Sequence, residues 1–164
     1  MLRNPLYVIF LIIFFSTLSF EPLSAQPNRL TITVTQGINF GTFCPYGSGG
    51  TVTLSDEGAR TSSQNIVLMN STYNVCIFKI STNSIWWSYW VNNVTVQSPI
   101  SLRRNGGGGT LTLNLDTDGL DEGFSVSRNH PVTWYMGGTL TVRSISLNPA
   151  GTYSGSFSIT AHYN

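Results

Sequence analysis

Four groups of side chains in this sequence are of types that could do chemistry. Asp116, Asp118, Asp121 and Glu122 fall close together, interleaved with Gly119 and Gly123. Calcium takes six to eight oxygens from carboxylates and carbonyls on a tight turn. Asp116, Asp118 and Asp121 offer part of such a set. The pattern departs from an EF-hand, because Leu120 stands where a ligand belongs and no glutamate closes the loop. A solvated acidic turn is the competing reading.

The second group is Trp86, Trp87, Tyr89 and Trp90, inside the stretch IWWSYWVNNVTV from Ile85 to Val96. In an extended chain Trp86, Ser88 and Trp90 share one face, and Trp87, Tyr89 and Val91 share the other. Such a strand is either covered on both sides or shows aromatic rings to solvent. Shown to solvent, the rings would stack on sugars or anchor a protein partner. Packing into the core is the competing reading, since tryptophan is mostly buried.

Cys44 and Cys76 are the third group, and the two lone histidines, His130 and His162, are the fourth. Neither histidine has a sequence neighbour that suggests a base or a metal ligand. Gly106 to Gly109 lacks the Gly-Lys-Ser/Thr ending of a phosphate loop, and there is no G-x-S-x-G elbow. No nucleophile–base or acid–base set can be assembled. The sequence therefore predicts a non-enzymatic protein that needs no cofactor.

The elements that must position these residues begin after the N-terminus. Arg3 precedes an unbroken apolar run, Leu6 to Phe15, and Leu23-Ser24-Ala25 offers small residues for cleavage. The run is shorter than the roughly 20 residues of a membrane span. This pattern predicts a secretory signal peptide over residues 1–25 and a β-sandwich domain over 26–164. The chain is expected to be exported, to the periplasm, cell surface or extracellular space, and not to span a membrane when mature. In an exported chain an even pair of cysteines predicts a Cys44–Cys76 disulfide. A loop of that length would contribute roughly 3 to 4 kcal/mol in the loop-entropy model. Two free thiols are the alternative.

Charged residues make up only 9% of the 164-residue chain and the net charge is +1. That balance excludes a basic nucleic-acid face and an electrostatic membrane binder. Leu30, Ile32 and Val34 alternate with threonines, as do Leu140 and Val142. Short alternating runs recur through the chain, with turn residues between them and no sustained helical period. They predict a single immunoglobulin-like antiparallel β-sandwich. The last fourteen residues, Gly151 to Asn164, alternate throughout and read as one strand. Tyr153, Phe157, Ile159 and Tyr163 share its apolar face.

Three blocks carry a resemblance: LTITVTQGINFGTF from Leu30 to Phe43, GTVTLSDEGAR from Gly50 to Arg60, and GGTLTVRSISLNPAGTYSGSFSITAHY from Gly137 to Tyr163. Together they resemble an uncharacterised family of secreted bacterial β-sandwich domains, a domain of unknown function. The resemblance spans nearly the whole mature chain and implies fold and export, with no activity. That family is similar in turn to spore coat protein U domains and to pilins of the chaperone–usher route. Pilin subunits end in an alternating strand with an early glycine and a penultimate tyrosine, as Gly151 and Tyr163 do here. They also carry a disulfide toward the N-terminus, which Cys44 and Cys76 would mimic. They differ in their long N-terminal donor extension. Leu30, Ile32 and Val34 are short for a donor and equally suit the domain's own first strand.

Two functions follow as expectations. The first is a structural or adhesive surface protein, pilin-like, that works by β-strand addition with other surface subunits or with itself. Tyr153, Phe157, Ile159 and Tyr163 would then line the accepting groove. The second is a carbohydrate- or ligand-binding module that uses Trp86, Trp87, Tyr89 and Trp90.

Overall fold

A computed structural model describes residues 30–63 and 65–164. The expected signal peptide lies outside the described residues. Fourteen strands follow in order: β1 Leu30–Gln36, β2 Phe43–Pro45, β3 Gly49–Leu54, β4 Arg60–Ser62, β5 Ile66–Leu68, β6 Cys76–Thr82, β7 Tyr89–Val96, β8 Ile100–Arg104, β9 Thr110–Leu115, β10 Phe124–Val126, β11 Val132–Met136, β12 Gly138–Arg143, β13 Tyr153–Ser154 and β14 Ile159–Tyr163. No described residue is helical. The fold is the all-β antiparallel sandwich expected from the alternating runs.

The largest sheet runs β13-β8-β9-β12-β3-β4. Its inner face is built by period-2 alternation. Leu111, Leu113 and Leu115 of β9, Leu140 and Val142 of β12, and Val52 and Leu54 of β3 are all buried. Register brings them together, since Leu140 stands opposite Val52 on one side and Leu113 on the other. Each such side chain contributes about 1.5–3 kcal/mol on burial.

The facing layer is assembled from smaller sheets, β1-β6-β11 and β10-β7-β14, with the β2-β5 pair beside them. Strand β6 is central, and its Cys76, Phe78, Ile80 and Thr82 are buried in strict alternation. Strand β1 pairs with β6 along its length, Leu30 opposite Thr82 and Val34 opposite Phe78. The first strand thus completes its own domain. The hairpin between β8 and β9 turns through Gly106, Gly107 and Gly108, which have φ of 90°, 85° and 82°. Side chains are strained there, so the glycine run is a turn requirement.

Two expectations are corrected. The C-terminal fourteen residues are two strands in different sheets. Strand β13 pairs with β8, and β14 pairs with β7. Gly155 to Ser158 belongs to no strand. Gly155 passes tightly over Leu102, where a β-carbon would fall 2.8 Å from its Cδ2. The apolar alternation survives this crossover although the hydrogen-bond partner changes. Second, Cys44 and Cys76 are free thiols and form no disulfide. Cys44 is exposed on β2, paired opposite Val67 of β5. Cys76 is buried on β6, opposite Met136 of β11. The two strands belong to different sheets, and one thiol faces solvent while the other is enclosed.

Candidate functional site

The sandwich is open along one side. Between β2 and β13 a groove of ≈ 650 Å³ reaches the inner face of the large sheet. Its floor is Leu102, Leu111, Leu113, Leu140 and Val142, from the consecutive strands β8, β9 and β12. One wall is the chain from Ile38 to Pro45, and the other runs from Asn148 to Phe157. Four of the five floor residues belong to the buried core. The groove is therefore a gap in the core wall, with leucines at its base.

Backbone hydrogen bonding explains why the gap stays open. Among the described residues strand β13 is the edge of its sheet, and β2 pairs only with β5. Each presents an unpaired strand edge to the groove. Each wall is fixed by its own anchors. Arg60 donates from Nη1 to the Phe40 carbonyl at 2.9 Å and from Nη2 to the Met69 carbonyl at 2.7 Å. Ser71 Oγ accepts the Thr42 N–H at 2.7 Å. On the far wall the Tyr153 hydroxyl donates to the Pro149 carbonyl at 2.7 Å. Asn148, buried, accepts from the Arg143 N–H and donates to the Thr110 carbonyl.

Of the four expected groove residues, Tyr153 and Phe157 line the groove. Ile159 and Tyr163 do not, because the sheet crossover carries them to β7, opposite Val96 and Val91. Tyr163 instead meets Tyr89 edge to face, ring centroids 5.4 Å apart. The floor leucines escaped sequence reasoning as site residues. Their alternation marks them as core, and they are buried as core, Leu102 alone being partly open. Cys44 lies on the groove's rim, an assignment the sequence did not make.

The aromatic stretch is a second surface. Trp86, Trp87 and Trp90 are 82%, 67% and 53% exposed, so core packing is not their role. Tyr89 is half-buried. The turn before β7 is fixed by buried Ser84, whose N–H donates to Thr82 Oγ1 and whose Oγ accepts the Trp87 N–H at 2.8 Å.

The acidic loop gathers no metal site. Among the described residues no group of three acidic, cysteine or histidine side chains comes together to hold an ion. Asp116 Oδ1 accepts the Asp118 N–H, an Asx turn. The loop then tightens through Leu120 N–H to Thr117 and Glu122 N–H to Gly119. Leu120 is buried, so the loop is pinned to the core through it while Asp116, Asp118 and Asp121 splay into solvent.

One titration is displaced. Burial pushes the Cys76 thiol up from its ordinary value, because the thiolate would be desolvated. Among the described residues no helix is long and apolar enough to cross a membrane.

The described residues thus define a single all-β antiparallel sandwich domain. More particularly, residues 30–163 match the family described as a domain of unknown function (DUF4402), and the chain belongs to that family. No curated protein and no solved structure matches it.

Proposed function

We propose that this is an exported, non-enzymatic surface protein that accepts an extended β-segment of a neighbouring subunit in the groove between β2 and β13. The observation that carries this reading is the groove itself: an opening floored by Leu111, Leu113 and Leu140 and flanked by two unpaired strand edges. A strand laid there would bond to backbone on both sides, and alternate side chains would drop onto the leucines. Three apolar side chains entering the floor contribute about 1.5–3 kcal/mol each. Association costs about 4–15 kcal/mol. Apolar burial alone is marginal, so the edge hydrogen bonds decide whether the segment stays.

The resemblance to pilins and spore coat protein U domains supports the same reading through export, although the C-terminal run is split between two sheets here. One difference shapes it. Strand β1 is paired with β6 in its own domain. The donated segment is therefore supplied by a partner, or by exchange of β1 between copies.

The test is light scattering after size exclusion on residues 26–164, with a urea melt of each fraction. A peptide copying Gln26 to Gln36 serves as the donor, and a fluorophore on Cys44 reports events at the rim. Oligomers, or a monomer whose urea midpoint rises with the peptide while the label responds, support strand addition. A monomer with one cooperative transition, unmoved by peptide, means a self-contained sandwich.

A further inference from the structure

The second surface lies outside the groove, and the strand-accepting reading makes no use of it. Trp86, Trp87 and Trp90 expose most of their rings. Contiguous exposed aromatics on a domain of this size mark a binding surface. From Trp86 to Trp90 the chain can span at most about 14 Å, so the three backbone positions lie within the length of a short oligosaccharide.

The Trp90 ring is mounted. A β-carbon on Gly123 would fall 2.8 Å from Trp90 Cζ2 and 3.0 Å from Cε2 and Nε1. The indole therefore rests on bare backbone at Gly123, with 53% of the residue still open to solvent. Ser125 of β10 stands opposite Trp90 across the sheet. Trp87 follows a turn locked by Ser84, which is 1% exposed. The Trp90 ring and the backbone that carries Trp87 are thus held before any ligand arrives, which lowers the ordering cost of binding.

The surroundings choose the ligand. No charged residue stands between Lys79 and Arg103 in the sequence. Exposed polar neighbours on the strands, Ser88, Asn92 and Ser125, are neutral, and the charged residues nearest in sequence to the Gly123 seat are acids, Asp121 and Glu122. An anionic lipid surface is met by lysine and arginine, and protein hot spots pair aromatics with arginine. A pyranose ring needs neither. Its C–H face lies flat on an indole, and its hydroxyls take hydrogen bonds from amides and hydroxyls.

We propose that Trp86, Trp87 and Trp90 form a carbohydrate-binding platform for β-1,4-linked chains of gluco-configured sugars. With every ring substituent equatorial, such sugars present apolar C–H faces on both sides. Consecutive rings can then engage consecutive indoles.

The test is isothermal titration and tryptophan fluorescence of the exported chain with cellohexaose and chitohexaose. The same titrations are run on Trp86→Ala, Trp90→Ala and the groove variant Leu102→Glu, with urea midpoints recorded for each. Vesicles of phosphatidylcholine and of phosphatidylcholine with phosphatidylglycerol are sedimented alongside. Saturable binding of at least one hexasaccharide is expected, with an emission shift. Affinity should fall at least tenfold in each tryptophan variant, with urea midpoints unchanged for Trp86→Ala. Binding by folded Leu102→Glu should match the parent, which separates this surface from the groove. No saturation with either sugar overturns the proposal. So does equal binding by the tryptophan variants, or vesicle binding that those variants abolish while no sugar binds.

Discussion

The Trp90 indole lies against Gly123, so closely that a β-carbon there would sit 2.8 Å from the ring. The contact joins β7 to the residue just before β10, and it seats an exposed ring against backbone rather than leaving it loose in solvent. Glycine at 123 is thus a packing requirement of the aromatic surface.

Gly123→Ala should displace that ring. Gly123 is exposed, so the indole can swing outward and the fold should lose less than about 1.5 kcal/mol. Tryptophan emission should shift red as Trp90 gains water, and sugar affinity should fall severalfold. Fluorescence and titration on one preparation check this. Unchanged emission would mean that the ring does not rest on the glycine.

Arg60 should act as the clamp of the groove wall. Its guanidinium bridges the Phe40 and Met69 carbonyls and lies 4.4 Å from the centre of the Tyr73 ring. Lysine offers a point charge and cannot span both acceptors in one plane. Arg60→Lys should lower stability by about 1.5–3 kcal/mol, the worth of a charge-assisted bond, and Arg60→Ala by more. Urea midpoints decide. A lysine variant as stable as the parent would show that the bridge is not needed.

The two thiols should behave differently. Cys44 is exposed and Cys76 buried, so Ellman's reagent should titrate one thiol in the native protein and the second on unfolding. Burial raises the Cys76 pKa above its ordinary 9.0. The folded value then exceeds the unfolded one, so the native state binds the proton more tightly. That stabilisation is complete below the unfolded pKa and is lost as pH rises through the folded value. Urea midpoints measured upward from pH 8 should fall on the alkaline side. Cys76→Ser should weaken that fall. No reactive thiol even in urea would mean that the pair is oxidised.

The sheet content was legible because burial follows period 2 along most strands. Cys76, Phe78 and Ile80 alternate in sequence and are buried in alternation. Which strands pair was not legible. The pattern from Tyr153 to Tyr163 is continuous, yet its partner changes from β8 to β7 at Gly155. Alternation reports which face is apolar and is blind to which edge bonds to which. The aromatic stretch failed in the opposite sense. Burial is the usual state of tryptophan, and only the glycine beneath Trp90, thirty-three positions away in sequence, shows how that ring is held outside. The groove was half legible. Tyr153 and Phe157 were expected at it, while its leucine floor reads as ordinary core.

Asn148 offers the sharpest test of the far groove wall. It is 5% exposed. Its Oδ1 accepts the Arg143 N–H at 2.6 Å, and its Nδ2 donates to the Thr110 carbonyl at 2.7 Å and to the Leu147 carbonyl at 3.0 Å. One side chain thus ties the end of β12 to the start of β9 and fixes the loop that carries Pro149 and Ala150. Asn148→Ala orphans the Arg143 and Thr110 groups at about 1–3 kcal/mol for each that stays dry. Asn148→Asp keeps the acceptor for Arg143 but sets a carboxylate oxygen against the Thr110 carbonyl. At neutral pH it should be the less stable of the two. Protonation restores a donor toward Thr110, so the folded-state pKa of the new carboxyl should lie above its unfolded value of about 3.9. The aspartate variant then regains stability as pH falls through that folded value, and holds the gain fully below the unfolded one. Urea midpoints of parent, alanine and aspartate variants at pH 7 and pH 4 read this directly. The aspartate variant should gain on the alanine variant at pH 4. Parallel loss in both at both pH values would mean that the Thr110 carbonyl finds water instead, and that Asn148 only fills space.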